Sequence, residues 1–186
     1  MKHMTIFHLS QLTEETFELI CDILDIDMSC IEFIPFSDTL MIKQFQWDTI
    51  QREHKHYFKA IRFINQNILT PKVRELKFQT QATSRNEFVD PCYISKFISK
   101  QIQIRGTCDL NWKKTLLIEL KKTNRTNWKK FCYQSIIYLH LDPNALGILV
   151  TDLNEIYYGF YRKSIGDSTI RYAHSLNELM IHVLET

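Results

Sequence analysis

At 186 residues with 45% hydrophobic side chains, the chain can bury one good core, with room for an appended subdomain, and a single globular unit is expected. No apolar run approaches the roughly 20 residues of a membrane-spanning helix, and the N-terminus lacks a basic-then-apolar signal pattern. A soluble chain with no membrane partner, intracellular and either cytoplasmic or nuclear, is therefore the expectation. The net charge of +2 is neutral on nucleic acid, but its distribution is not. Residues 1–50 set two lysines against nine acids, whereas residues 96–130 set ten Lys and Arg against Asp109 and Glu119 alone. A basic region around two lone carboxylates suits a site that holds a phosphate backbone, although such a run also serves as a solvated face.

The opening Met1-Lys-His-Met4 reads as a remnant ahead of a native start at Met4. Thr13-Glu-Glu then starts a helix, with a capping hydroxyl, acids in the first turn and an apolar stripe of Phe17, Ile20, Cys21 and Leu24. After Pro35, Trp47, Ile50, His54, Tyr57, Ile61, Ile64 and Ile68 recur at helical spacing up to Pro71, which predicts the longest helix of the chain. Lys72 to Gln81 alternates like a strand or an extended linker. The boundary between a mostly helical N-terminal extension, residues 1–82, and a core, residues 83–186, falls just beyond it. Ser84-Arg-Asn-Glu87 has the form of a capping box, and Phe88 to Lys100 comes next as a helical pattern; Asp90-Pro91 offers an alternative helix start.

The next stretch carries the chemistry. In Thr115-Leu-Leu-Ile-Glu-Leu-Lys121 the side chains alternate, so Leu117, Glu119 and Lys121 share one face of a strand and Leu116, Ile118 and Leu120 the other. Asp109 lies on a preceding extended run, and Asn111-Trp-Lys-Lys114 has the chemistry of a hairpin turn, which would set Asp109 across from Glu119. Paired carboxylates repel unless a cation lies between them, and hard divalent ions such as Mg²⁺ or Mn²⁺ take such oxygen ligands. A lysine two residues on completes the equipment for metal-assisted phosphodiester hydrolysis.

Asn127 to Leu141 predicts an amphipathic helix with Trp128, Cys132, Ile136 and Leu139 inward and Lys129 and Lys130 outward; Gln134 and Tyr138 share one face of it. Ala145 to Thr151 is a continuous apolar run, expected as a central strand buried on both faces. Glu155 to Tyr161 reads as its antiparallel neighbour, Ser168 to Tyr172 as an edge strand and Ser175 to Glu185 as a closing helix. Five cysteines at no metal-site spacing support neither a disulfide framework nor a zinc site, and four glycines in all argue against a P-loop.

Gly106-x-x-Asp109, Glu119-x-Lys121 and Gln134-x-x-x-Tyr138, in that order, resemble the PD-(D/E)xK nuclease superfamily, most closely its RecB-like branch. Cys108 stands where a proline usually precedes the aspartate. The resemblance implies an α/β (α+β) fold with a restriction-endonuclease-like α-β-β-β-α-β core behind the helical extension. It implies Mg²⁺ or Mn²⁺ held by Asp109 and Glu119, with the Leu120 carbonyl as a further oxygen ligand and Lys121 activating or positioning water. Glu87 would orient a water or ligate the metal, its alternative being the capping box; His54, or His56, would add a ligand, its alternative being a hydrogen-bonded core residue. Gln134 would act at the active site. Nucleic acid, DNA before RNA, would lie on Lys113, Lys114, Lys122, Arg125, Lys129, Lys130 and Tyr138. The competing expectation is a nuclease-fold module that binds nucleic acid or protein without cutting, and a third is a small domain in which Glu119 and Lys121 form only a surface ion pair.

Overall fold

The computed structural model describes residues 3–36, 47–54, 57–64, 67, 88–89, 92–112, 115–121, 128–152 and 156–184. The fold is mixed α and β, and two sheets dominate it. Among the described residues the smaller has three strands in the order β1-β4-β3, with β1 spanning Thr5–His8, β3 Cys92–Phe97 and β4 Ile102–Cys108. The larger has six described strands, in the order β2-β5-β6-β7-β8-β9: Phe88–Val89, Leu110–Trp112, Leu116–Leu120, Gly147–Thr151, Tyr157–Tyr161 and Arg171–Ala173.

One long bent hairpin joins the sheets. Phe88 pairs with Trp112, Val89 with Asn111, Cys92 with Cys108 and Phe97 with Gln103, so a single antiparallel register runs through both sheets. The expected helix from Phe88 to Lys100 is thus replaced by β2 and β3, and the α-β-β-β-α-β order loses its first helix at that place. Its apolar residues fit either period over so short a run, and pairing with β4 decides for the strand: Ile94 is buried while Tyr93, Ser95 and Phe97 face out.

β6 and β7 lie side by side in parallel, as a strand-helix-strand crossover requires, and the helix between them is α4, Trp128–Leu141. The ladder fixes the faces. Leu117 belongs to the same buried cluster as Ile148, Phe160 and the α4 residues Cys132, Ile136 and Leu139, so Glu119 and Lys121, which share its side of β6, also look toward α4. On the opposite face lies α5, Leu176–Leu184, whose Val183 and Leu179 reach so close to Gly147 that a Cβ there would meet them at 2.6 and 3.0 Å.

α1, Glu14–Ile23, is capped by Thr13, whose Oγ1 accepts the Thr16 N–H at 3.3 Å, and it covers the outer side of α4. That cover explains why α4 is buried from Gln134 through Leu139 without a break: sheet lies on one side and helix on the other. Residues 5–26 therefore enter the common core, with β1 in the small sheet and Leu9, Phe17, Ile20 and Cys21 in the buried cluster. The expected long helix is described in two pieces, α2 (Trp47–Glu53) and α3 (Tyr57–Ile64). The expected strand or linker over 72–81 lies outside the described residues. Among the described residues no helix is long and apolar enough to cross a membrane.

Candidate functional site

Asp109 is the residue at which the hairpin leaves the small sheet and enters the large one, between β4 and β5. The β5–β6 ladder, with Leu110 opposite Ile118, carries Asp109 to the position across from Glu119. Each carboxylate is held by the other's strand. Asp109 Oδ2 accepts the Leu120 N–H at 2.7 Å, and Glu119 Oε1 accepts the Asp109 N–H at 3.2 Å. The end of β4 is fastened by Cys108, whose thiol donates to the Ile118 carbonyl at 3.3 Å; a proline there could present no such donor.

Glu119 is 3% exposed. Burial pushes its carboxyl above the ordinary carboxylate range, and the charge of Lys121 is the largest influence in the other direction. The Lys121 ammonium lies 3.3 Å from Glu119 Oε2, donates to Gln134 Oε1 at 3.3 Å, and sits 4.7 Å from the centre of the Phe131 ring. Asp109, Glu119, Lys121 and Gln134 are therefore brought together by three elements: the sheet bend, β6 and the first turns of α4. Gly106 has a packing reason for its place, because a Cβ there would meet Leu9 Cδ1 at 2.8 Å. A cleft of about 260 Å³ opens beside the cluster, lined by His8, Ser10, Tyr93, Arg105, Gly106, Thr107 and Gln134.

The remaining expected residues have different places. His54 packs its ring on Phe63 at 4.8 Å, and among the described residues no third His, Cys, Asp or Glu joins the carboxylate pair in a metal-sized group. Tyr138 is 2% exposed and belongs to the buried core cluster, so it is corrected from a nucleic-acid contact to a packing residue. Lys129 pairs with Glu14 at 3.1 Å, tying α4 to the acidic helix, while Lys130 is half-buried. Leu120 contributes its N–H, to Asp109. His56, Glu87, Lys113, Lys114, Lys122 and Arg125 lie outside the described residues.

Sequence reading missed Arg162, which is 2% exposed. Its guanidinium donates to the carbonyls of Ala145, His140 and Asp142 at 2.9, 3.3 and 2.6 Å, closing the C-terminal end of α4. No local signal marks it, since the carbonyls lie about twenty residues back along the chain. The Ser95–Gln103–Arg105 chain of side chains on the small sheet was missed too, because it depends on the β3–β4 pairing that the helical reading of 88–100 concealed.

No protein-family model matches this sequence, and no curated protein matches it. Among solved structures, one titled "Crystal structure of SSO0001" is similar at 16% identity over 81% of this chain and 78% of that one, with a TM-score of 0.26. A likeness at that level carries no argument about fold or activity.

Proposed function

We propose that the protein is a divalent-metal-dependent nuclease of the PD-(D/E)xK kind, with a restriction-endonuclease-like core, that hydrolyses phosphodiester bonds in nucleic acid, DNA before RNA. The observation that carries this reading is the reciprocal fastening of Asp109 and Glu119 across the bent hairpin, with Lys121 on the same face. Two carboxylates brought together beside a basic sequence stretch suit a shared cation, since burial disfavours the charged form of Glu119 and a cation between the pair would offset both that cost and their mutual repulsion.

The donor set fits Mg²⁺ or Mn²⁺. Both prefer hard oxygen ligands, and Mg²⁺ in particular is often held by one or two carboxylates, with waters and substrate phosphate in the remaining positions. When bound, the ion would supply Lewis-acid polarisation of the phosphodiester and a nucleophile at neutral pH. The chain's own residues set the geometry. Asp109 and Glu119 would hold the ion, each carboxylate being oriented by a backbone N–H of the facing strand. Lys121, 17% exposed in its side chain, places a compact positive charge where the phosphate becomes more negative in the transition state. Gln134 holds that ammonium from the α4 side and so acts as a positioning residue for Lys121. Glu87 and the lysines of the two undescribed connections are proposed, from the sequence alone, to complete water orientation and backbone binding.

The test is a split between binding and rate. Lys121→Ala should lower kcat for Mg²⁺-dependent cleavage by about a hundred- to a thousandfold while retaining substrate in a gel shift. Lys121→Arg should not restore the rate, because a planar fork does not replace an ammonium. If wild type cleaves neither DNA nor RNA in Mg²⁺ or Mn²⁺, or if Lys121→Ala cleaves at the wild-type rate, the non-hydrolytic binding module takes the place of the enzyme.

A further inference from the structure

The open face of the small sheet has the features of a surface built for unpaired bases. Residues directly opposite each other on antiparallel strands share a face, so Tyr93, Ser95 and Phe97 of β3 stand beside Thr107, Arg105 and Gln103 of β4. Tyr93 is 64% exposed and Phe97 61%, the two most exposed large hydrophobic side chains among the described residues. Two rings left in water four residues apart on one strand lie roughly 13 Å from each other, at about 3.3 Å per residue. Between them the polar side chains are tied in series: Gln103 Nε2 donates to Ser95 Oγ at 2.7 Å, and Arg105 Nε donates to Gln103 Oε1 at 3.1 Å. The guanidinium is thereby fixed in orientation, and it lines the 260 Å³ cleft that also reaches Tyr93 and Gln134. Gln134 in turn holds Lys121, so the cleft connects this face to the carboxylate pair.

We infer that this face is a docking platform for single-stranded nucleic acid, on which Tyr93 and Phe97 stack bases while Arg105 takes a phosphate and the strand runs through the cleft toward Asp109 and Glu119. Exposed aromatic rings interleaved with an oriented cation are the chemistry that holds unpaired bases with little sequence preference. A duplex keeps its base faces stacked inside and offers these rings nothing. The excess of Lys and Arg over acids between residues 96 and 130 complements the backbone charge. The inference names the substrate form for the proposed nuclease and rests on that reading for the cleavage of a docked strand, but docking itself needs neither metal nor hydrolysis.

The experiment measures fluorescence anisotropy of labelled oligothymidylate and oligouridylate, each about 20 nucleotides long, and of a duplex of equal length, in EDTA. Expected is binding of at least one single strand that weakens about tenfold or more in Tyr93→Ala/Phe97→Ala, is retained in Tyr93→Phe, and weakens equally in Tyr93→Leu/Phe97→Leu, which keeps the apolar surface but removes the rings. Duplex binding should be unchanged across these variants, and the two single strands tell a DNA platform from an RNA one. Both side chains are mostly exposed, so the substitutions leave the fold intact. Wild-type single-strand affinity in the Leu pair overturns stacking. So does an absence of single-strand binding with a concentration-dependent dimer that the Ala pair abolishes, since the rings then serve a second copy. Single-strand binding that needs the rings in a protein that cleaves nothing leaves the platform standing and removes the nuclease. Cleavage that survives in the Ala pair with unchanged single-strand affinity does the reverse.

Discussion

Glu119 is held in two ways at once: burial favours its neutral form, while Lys121 and the Asp109 N–H favour the anion. Burial prevails, so the folded state holds a proton to higher pH than the ordinary value of 4.5. Where the folded state binds more protons than the unfolded chain, stability falls as pH rises, from the unfolded pKa through the raised folded one. In metal-free buffer, thermal melts of Glu119→Gln should therefore gain on wild type as pH climbs through that window, and the gain should disappear at lower pH; a constant difference would show that folding does not raise the carboxyl's pKa. Arg162 makes the opposite case, a charge whose removal harms. Its three carbonyl partners lie at a helix C-terminus, where the backbone dipole also favours a cation. Arg162→Met should cost about 3 kcal/mol or more in urea unfolding, because buried acceptors lose their donors. A loss under about 1 kcal/mol would mean that water reaches those carbonyls.

At the scale of elements, glycines set how closely layers approach. At Gly147 an added Cβ would lie 2.6 Å from Val183 Cγ2, so α5 rests on β7 only because no side chain intervenes. Gly147→Ala should cost about 1–3 kcal/mol by overpacking, and Val183→Ala should be less harmful in that background than in wild type. Additive losses in a double-mutant cycle would refute the contact. The elements most legible in the sequence were those whose period was unambiguous. The alternation of 116–120, the unbroken apolar run of 147–151 and the capped start at Thr13 each appear where expected, because one local signal was enough. The facing of Asp109 and Glu119 was legible, but the turn between them was not: Asn111 and Trp112, expected in the turn, instead pair with Leu117 and Leu116 as strand. Residues 92–97 and β1 were not legible: their state is set by pairing with β4, a partner that local sequence does not name. The burial of Tyr138 was hidden likewise, because it is set by packing within the common core and not by local sequence.

For the whole molecule, the charge asymmetry divides into a structural part and a part available to a ligand. Lys129 is spent on Glu14, which joins the acidic N-terminal helix to α4, and both side chains are about half exposed, so the pair adds little stability. If the basic stretch holds a phosphate backbone, binding should weaken with salt at about 0.9 in log–log slope per phosphate contact on duplex and about 0.7 on single strands. Lys129→Ala should leave that slope unchanged, whereas Arg105→Ala should reduce the single-strand slope by about one contact. Equal slopes in all three proteins would return the basic stretch to a solvated face. Whether Asp109 and Glu119 share one divalent ion is decided by calorimetric titration of Mn²⁺ into the wild-type protein, Asp109→Asn and Glu119→Gln. Wild type should show a site that both variants lose, accompanied by a stabilisation of about 2.7 kcal/mol at a hundredfold excess over Kd. Wild type that takes up no Mn²⁺, or Asp109→Asn that binds it as tightly as wild type, would mean that the two carboxylates hold no shared ion.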